Sequence, residues 1–587
     1  MRQPEQYYLA STSDKELWVT DSPIIFLGDF CNPYNDDNKS FLSNEPIKGL
    51  QYTKETYLEA MSFSASTYEN ILPQIGKWLD EFHGESHSTR YWEIIIGPFL
   101  IWYIENLYEK YRRISKAIEL FPYLKTKRLK ENMFITPNDT LDYINLSPQD
   151  DLWNLQLSTQ IIQYFKNEQF FEDTRSLNKI NYTEKQPSDD TNVHFNSDLR
   201  NIIKRFLLGL NIHASIITYL PILSLRRRIE FAVRSGFFIW PYFNRQLNIE
   251  YDYARDISAR MTLKNIPAND SFTGMVFETL CFNLPLIFIE GYRKLKSMST
   301  NIASSTPKLI VSDIGWYFDE LFKIWAANEM EKGSKLVCVQ HGGAYGSGLY
   351  SSSERHEKTI ADYFISWGWK DSEKVIPLPS LKLEKIKKVK YERNTRVLWV
   401  STCFPRYGGQ SCIDMSSYLT NQLRFAKNLQ EKISHFLVLR LPFTDYGWGV
   451  ESFWRTNVSH LQIESATNGS SFYQSLINCR IFVTDNNSTA LFQAMAYNVP
   501  TILFWDTNKD IIRETVSPLY EELKNVGIFH SSPESAALHL NSVYNEISRW
   551  WKSDEVQYAR SEFCRKLVNI DDHLVTTWAK ALKSLLV

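Results

Sequence analysis

At 587 residues the chain is too long for one hydrophobic core, and two domains are the natural division. Hydrophobic residues make up 43% and charged residues 22%, an ordinary globular balance that excludes a disordered chain. The formal charge of −2 leaves no global field to attract nucleic acid. Seven scattered cysteines (Cys31, Cys281, Cys338, Cys403, Cys412, Cys479, Cys564), odd in number and without a C-x-x-C pair, speak against a disulfide framework or a zinc site and fit a reducing cytoplasm. The first residues, Met1-Arg-Gln-Pro-Glu-Gln6, are polar and lack the apolar centre of a signal peptide. Aromatics at 14%, with 17 Trp and 32 Tyr, suit sugar-stacking clefts and plain core alike.

In chain order, Pro23-Ile-Ile-Phe-Leu-Gly28 reads as a first parallel strand ended by glycine. A long helix is predicted over Tyr91 to Leu120, with Glu, Lys and Arg on its polar face. The stretch from Gln169 to Asn196 is polar and reads as an excursion. Phe206 to Leu225 has a membrane-spanning length and basic flanks, Lys204-Arg205 and Arg226-Arg227-Arg228. Its Asn211, His213, Ser215, Thr218 and Pro221 argue instead for buried core, with a β-branched strand over Ser215–Tyr219. The basic cluster leaves a peripheral contact with the inner membrane face open beside a cytoplasmic location.

Strands and helices then alternate. Pro307–Asp313 and Lys335–His341 are strand-like, Trp316–Met330 lies between them as a helix, and Tyr363–Trp367 closes this half. A seam follows from Val375 to Asn394, with Pro377, Pro379 and the lysine-rich run Lys382 to Lys390. Beyond it the alternation restarts: strands Arg396–Ser401, His435–Arg440, Arg480–Thr484 and Pro500–Trp505, helices Ser417–Ser434 and Ser488–Tyr497. The expected organisation is an α/β chain with an N-terminal Rossmann-like domain over 1–375 carrying helical insertions, a linker over 376–394, a second Rossmann-like domain over 395–545, and C-terminal helices over 546–587 packing back on the first domain. Open parallel sheets bind ligands beyond the carboxyl ends of their strands, which places the site in the cleft between the halves.

Thr484-Asp485-Asn486-Asn487-Ser488-Thr489 follows one such strand and opens a helix. Small hydroxyl residues there leave backbone N–H groups free for a phosphate, helped by the helix dipole, although Asn487 or Ser488 serves equally as a plain N-cap. Gln340-His341-Gly342-Gly343-Ala344-Tyr345 ends a strand of the first half, where glycines let backbone approach a ligand and His341 faces the cleft as a candidate base. Asp313 also ends a strand. Ser353-Glu354-Arg355-His356-Glu357 offers two carboxylates for acid–base work with His356 to orient them; the plain alternative is a solvated helix start. Arg440, which ends a strand of the second half, and Arg406, which follows one, suit an anion clamp or ordinary surface pairing.

Taken together, Phe26–Cys31, Tyr91-Trp-Glu93, Gln340-His-Gly-Gly343, Ile365-Ser-Trp-Gly-Trp369, Asp485–Thr489, Asn498-Val-Pro-Thr-Ile-Leu-Phe-Trp-Asp506 and Trp550-Trp551 resemble a family of transferases encoded in bacterial O-antigen and surface-carbohydrate clusters, over nearly the whole chain. More distantly the chain is similar to capsule-type transferases with CMP- or CDP-linked donors, including Kdo transferases and poly(glycerol phosphate) polymerases. The resemblance implies a GT-B-like fold, two Rossmann-like domains with parallel sheets facing across a cleft. It implies His341 as base and Asp485, Ser488 and Thr489 as the grip on donor phosphates. Some CMP-sugar transferases carry His-Pro after a second-half strand, where this chain has Arg440-Leu-Pro442. There is no Asp-x-Asp motif and no sign of an obligatory metal or cofactor beyond the nucleotide-sugar co-substrate.

The expected function is transfer of a sugar, an ulosonic acid such as Kdo, from a CMP-activated donor to a glycan or lipid-linked glycan acceptor in surface polysaccharide synthesis. His341, Glu354, Glu357 and Asp313 are the catalytic candidates. Arg406, Arg440, Asp485, Asn486, Asn487, Ser488 and Thr489 are candidates for the donor nucleotide, and Gln340, Gly342, Gly343, Tyr345 and His356 for the sugar or acceptor. A UDP- or GDP-hexose transferase, a CDP-alditol phosphotransferase and a non-catalytic scaffold are the alternatives; none calls for nucleic acid.

Overall fold

The computed structural model describes residues 7–18, 22–34, 52–121, 124–165, 171–173, 214–242, 253–300, 302, 306–383, 389, 391–408, 415–466, 471–506 and 512–586. Three parallel sheets organise them. The first has strands β1 (Tyr7–Ala10), β2 (Ile24–Phe26), β3 (Leu124–Arg128) and β4 (Phe171–Asp173) in the order β2-β1-β3-β4. The second has β5 (Ile216–Tyr219), β6 (Ile239–Pro241), β7 (Leu309–Ser312), β8 (Lys335–Val339), β9 (Tyr363–Ser366) and β10 (Val375–Pro377) in the order β10-β9-β8-β7-β5-β6. The third has β11 (Val397–Val400), β12 (Leu437–Arg440), β13 (Gln462–Glu464), β14 (Ile481–Thr484), β15 (Thr501–Phe504) and β16 (Phe529–His530) in the order β13-β12-β11-β14-β15-β16.

The second and third sheets are the two doubly wound sheets expected from the alternation, and together they make an α/β, GT-B-like chain. Their central strands carry helices on both faces, so Leu-Ile-Val-Ser in β7, Ile-Phe-Val-Thr in β14 and Thr-Ile-Leu-Phe in β15 are buried at every position. The first sheet is an addition: Pro23–Gly28 yields β2, in a separate sheet from the strands that follow residue 214. The β-branched run at 215–219 becomes β5, a buried strand beside β7. Residues 206–213, with Lys204 and Arg205, lie outside the described residues, as do most of the polar excursion at 169–196 and residues 384–388 of the lysine-rich run. Among the described residues no helix is long and apolar enough to cross a membrane.

Two long helices form the spine of the N-terminal part. Lys54–His83 starts from a capping box between Thr53 and Thr56 and stops at Gly84, whose φ of 71° is the left-handed geometry that favours glycine. Thr89–Leu120 is capped by Ser88, and its polar face is not solvated as expected: Glu93, Glu105, Glu109 and Lys110 are buried against neighbouring elements. The helix predicted over Trp316–Met330 is broken at Asp319, which accepts from Phe322 N and caps the second piece, Glu320–Glu331. Past the third sheet, Asp554–Leu567 packs by Phe563 on Phe492 and Tyr520, with ring centroids 5.5 and 5.6 Å apart. The chain then returns to the second sheet. Asn569 N donates to Trp367 O (2.6 Å), and Trp578 of helix Leu574–Ser584 donates to Pro379 O (2.8 Å) in an apolar layer with Val311, Val337 and Ile365.

Candidate active site at the meeting of two sheets

Neighbouring strands run to opposite sides at two switch points, between β5 and β7 and between β11 and β14, and both carboxyl rims present loops there. Asp313 follows β7 and His341 follows β8; Asp485 to Thr489 follow β14. The two loop sets touch. Gly343 N donates to Thr489 Oγ1 at 2.8 Å, Asn487 Nδ2 donates to Ser347 Oγ at 2.9 Å, and Tyr520 OH donates to Asn487 Oδ1 at 2.8 Å. A Cβ on Gly343 would stand 2.5 Å from both Ser488 C and Thr489 N, so only glycine admits this approach.

The His-Gly-Gly loop is pinned from behind by Gln340. Its Nε2 donates to Gly342 O (2.9 Å), and its Oε1 accepts from Trp367 N and Trp369 Nε1 (both 2.9 Å). The segments 340–343 and 365–369 are therefore one structural unit, and Gln340 is a buried scaffold rather than a group offered to a sugar.

His341 is 24% exposed, and its Nδ1 lies 3.1 Å from Oε1 of the fully buried Glu357. Burial opposes charge on the imidazole, but the charge and hydrogen bond of Glu357, followed by Asp313, outweigh it and raise the His341 pKa. Burial raises the Glu357 pKa as well, and the charge of His341 offsets part of that rise. Tyr345 is buried with its hydroxyl 3.3 Å from Nδ1 and 3.4 Å from Nε2, and Tyr317 packs edge-on at 5.6 Å. Asp313 is buried and accepts from Ile314 N (2.7 Å) and Ile222 N (3.3 Å); burial raises its pKa.

Helix Ser352–Ile360 presents Glu354, His356 and Glu357 inward, so the solvated helix start does not describe it. The three diverge. Glu357 faces His341. Glu354 accepts from Gly346 N (2.9 Å) and Arg513 Nη2 (2.7 Å), which makes it a strut between the halves rather than an acid–base group. His356 sits against Gly97 with neither ring nitrogen hydrogen-bonded, and burial pushes its pKa down to about 3. Arg513 was not foreseen; it also donates to Gly348 O (2.7 Å), and its signal in sequence was only a cation following β15. Replacing Arg513 with Met strands a buried carboxylate, and chemical denaturation should show a loss of about 3 kcal/mol, partly recovered by adding Glu354→Gln.

Below the same helix start, Glu105 accepts from Ser352 Oγ (2.6 Å), and burial raises its pKa to about 7. Its carboxyl keeps a proton in the folded state that the unfolded chain releases near 4.5. Stability should fall as pH rises between these values, by about 3 kcal/mol in all, and Glu105→Gln should flatten that slope in pH-dependent melts.

On the other side Ser488 makes no capping bond with its side chain, which leaves its hydroxyl and the first turn of Thr489–Ala496 at the junction. Asp485, by contrast, is spent internally. It accepts from Tyr418 OH (2.8 Å), Trp399 Nε1 (3.2 Å), Gln422 Nε2 (2.5 Å) and Asn486 Nδ2 (3.1 Å), and burial raises it to about 6. Neither arginine forms the expected clamp. Arg440 pairs with Glu464, and Arg406 reaches into the N-terminal part to Ser13, Gln149 O (2.5 Å) and Asp151 (3.0 Å). Among the described residues no group of three His, Cys, Asp or Glu side chains is placed to hold a metal ion.

The family model described as LIC12162 family transferase matches residues 7–582. No curated protein matches the chain. Among solved structures it is similar to the UDP-GlcNAc 2-epimerase from Neisseria meningitidis bound to UDP-GlcNAc, at 11% identity over 63% of this chain and 99% of that chain, with a TM-score of 0.33. It is also similar to the wall teichoic acid polymerase TagF (10% identity, 66% and 95% of the chains, TM-score 0.30) and to MurG from Acinetobacter baumannii (9% identity, 63% and 99%, TM-score 0.32).

Proposed function

Because the chain belongs to the LIC12162 family of transferases, we propose that it moves a glycosyl group from a nucleotide-activated donor to a hydroxyl of a glycan acceptor in surface polysaccharide synthesis. The observation that carries this reading is the contact of the His341 loop with the first turn of Thr489–Ala496 through Gly343 and Thr489. His341 Nε2 takes the proton of the acceptor hydroxyl as its oxygen attacks the anomeric carbon. Glu357 holds the ring by Nδ1 and stabilises the imidazolium that forms. The bond to the nucleotide phosphate breaks, and the charge left on that phosphate is received by the Ser488 hydroxyl, the backbone N–H groups that open the helix and the helix dipole. Asn487 and Tyr345 position the two loops, and Gly343 lets them meet. Glu354 and His356 stay with the scaffold in this reading.

A CMP-linked ulosonic acid would ask for a cation facing the sugar carboxylate, and the two arginines expected for it are engaged with Asp151 and Glu464. A neutral hexose on UDP or GDP makes no such demand, which favours it as the second donor reading. A panel of CMP, CDP, UDP and GDP decides between them: a nucleotide at 100 times its dissociation constant stabilises by about 2.7 kcal/mol. Stabilisation by CMP alone supports the ulosonic donor and stabilisation by UDP or GDP the hexose. Stabilisation by none of the four overturns the donor site.

A further inference from the structure

The candidate site uses the carboxyl rim of the second sheet, and the opposite rim has a character of its own. Lys335 opens β8 and its N–H donates to Lys308 O (3.0 Å); Lys308 precedes β7 and donates to Ser215 O (2.8 Å); Ile216 of β5 donates to Phe238 O (3.2 Å). Lys335, Lys308, Ser215 and Phe238 are thus neighbours along one edge, one strand spacing apart. Both lysines are exposed. Lys583, also exposed, holds its Nζ 5.2 Å over the Phe238 ring. Arg234, 54% exposed, pairs with Glu230 (2.9 Å) and donates to Thr576 Oγ1 (3.4 Å).

At the end of this rim, helix Leu225–Arg234 runs out through Ser235 into Gly236 with φ 66° and Phe237 with φ 63°. A glycine in left-handed geometry is an ordinary helix stop, but an aromatic side chain there costs backbone energy. The fold does not recover that cost by burial. The Phe237 ring is 50% exposed, its ring neighbour Trp240 is tilted at 6.2 Å, and Val233 in the last helical turn is 57% exposed. Other exposed apolar side chains, such as Leu538 and Tyr558, sit on regular helices without backbone strain. The Phe237 N–H closes the helix end by donating to Ala232 O (2.8 Å), which accounts for the backbone, but the half-exposed side chain is left over and points to a use outside the fold.

We propose that this rim docks the protein on an anionic lipid bilayer, with Phe237 entering at headgroup depth and Lys308, Lys335, Arg234 and Lys583 meeting lipid phosphates. The exposed apolar element is small, Phe237 with Val233, whereas a protein partner would need a complementary patch of about 1,000 Å² or more. A single exposed aromatic beside a row of exposed cations, with Glu230 and Asp362 on the same edge paired to Arg234 and Arg90, is what an anionic interface takes up. His341 lies beyond the far end of β8, roughly 20 Å from Lys335 along the strand direction, so docking leaves the cleft open to the aqueous side.

The test is sedimentation of the full chain with vesicles of phosphatidylcholine alone and of phosphatidylcholine with about one-third phosphatidylglycerol. The expected result is binding to the anionic vesicles only, weakened by salt, with each of Lys308→Glu, Lys335→Glu and Lys583→Glu lowering the partition coefficient by about fivefold. Phe237→Gly removes the ring and relieves the backbone together. Its Tm should equal or exceed that of the parent while partition falls at least fivefold, a combination that misfolding cannot produce. Equal or absent binding to the two vesicle types, or undiminished partition of Phe237→Gly, overturns the proposal. Capture of a soluble protein or polyanion without vesicle binding does the same. Nucleotide stabilisation of Phe237→Gly should be unchanged, which keeps this test separate from that of the transferase reading.

Discussion

Replacing His341 with glutamine is expected to lower turnover by about two to four orders of magnitude while leaving the melting temperature nearly unchanged. Glutamine can still donate an amide N–H towards Glu357, so the buried carboxyl keeps a partner. What is lost, in the proposed reaction, is the nitrogen that takes the acceptor's proton. Turnover needs the neutral ring, and Glu357 and Asp313 raise its pKa above the ordinary 6.5 in spite of burial. Activity should therefore climb with pH along a limb above the usual imidazole range. Glu357→Gln removes the raising charge, so that limb should move to lower pH and reach a lower plateau. A limb that stays in place would show that Glu357 does not act on His341.

Adding one methyl group at Gly343 should be nearly as damaging, for a steric reason. The Cβ would lie 2.5 Å from Ser488 C and Thr489 N and 2.8 Å from Phe492 Cδ2, and the first two are backbone atoms that cannot swing aside. The two rims must part, and a shift of about 1 Å between reacting groups costs on the order of a hundredfold in rate. Gly343→Ala should retain its far-UV circular dichroism and lose turnover by at least that factor. Gly342→Ala is the internal control. Its Cβ would meet nothing closer than 3.9 Å, at Thr489 Oγ1 and Tyr345 Cε2, and activity within a few-fold of the parent is expected.

The contrast between these neighbouring glycines marks what a sequence can carry. Strands β7, β8, β9, β11, β12, β14 and β15 are legible because parallel strands covered on both faces read as unbroken apolar runs, whereas the three-residue β10, inside the expected seam, and β13 are too short and too exposed to show one. The first sheet is not legible, because Leu-Lys-Thr-Lys-Arg in β3 and Phe-Glu-Asp in β4 carry no such run. Helix Lys54–His83 dilutes its buried stripe with Ser64, Thr67 and Gly76. For the candidate site, position after a strand singles out His341, Asp313 and Ser488–Thr489, since open parallel sheets bind ligands there. Pairing is the hidden part. Arg406 reads as an anion grip until Asp151, 255 residues earlier, is seen beside it, and Arg440 until Glu464 is. Glu354 and Glu357 are three residues apart on one helix; only the packing of Ser352–Ile360 decides that one braces Arg513 and the other holds His341.

A crystal structure of the chain soaked with the nucleotide that stabilises it most would test the central claim directly. The account predicts phosphate oxygens within about 3 Å of the Ser488 hydroxyl and the N–H groups opening Thr489–Ala496, with His341 Nε2 facing the sugar end of the same ligand. Phosphates bound away from that turn, or His341 directed away from the ligand, would contradict it.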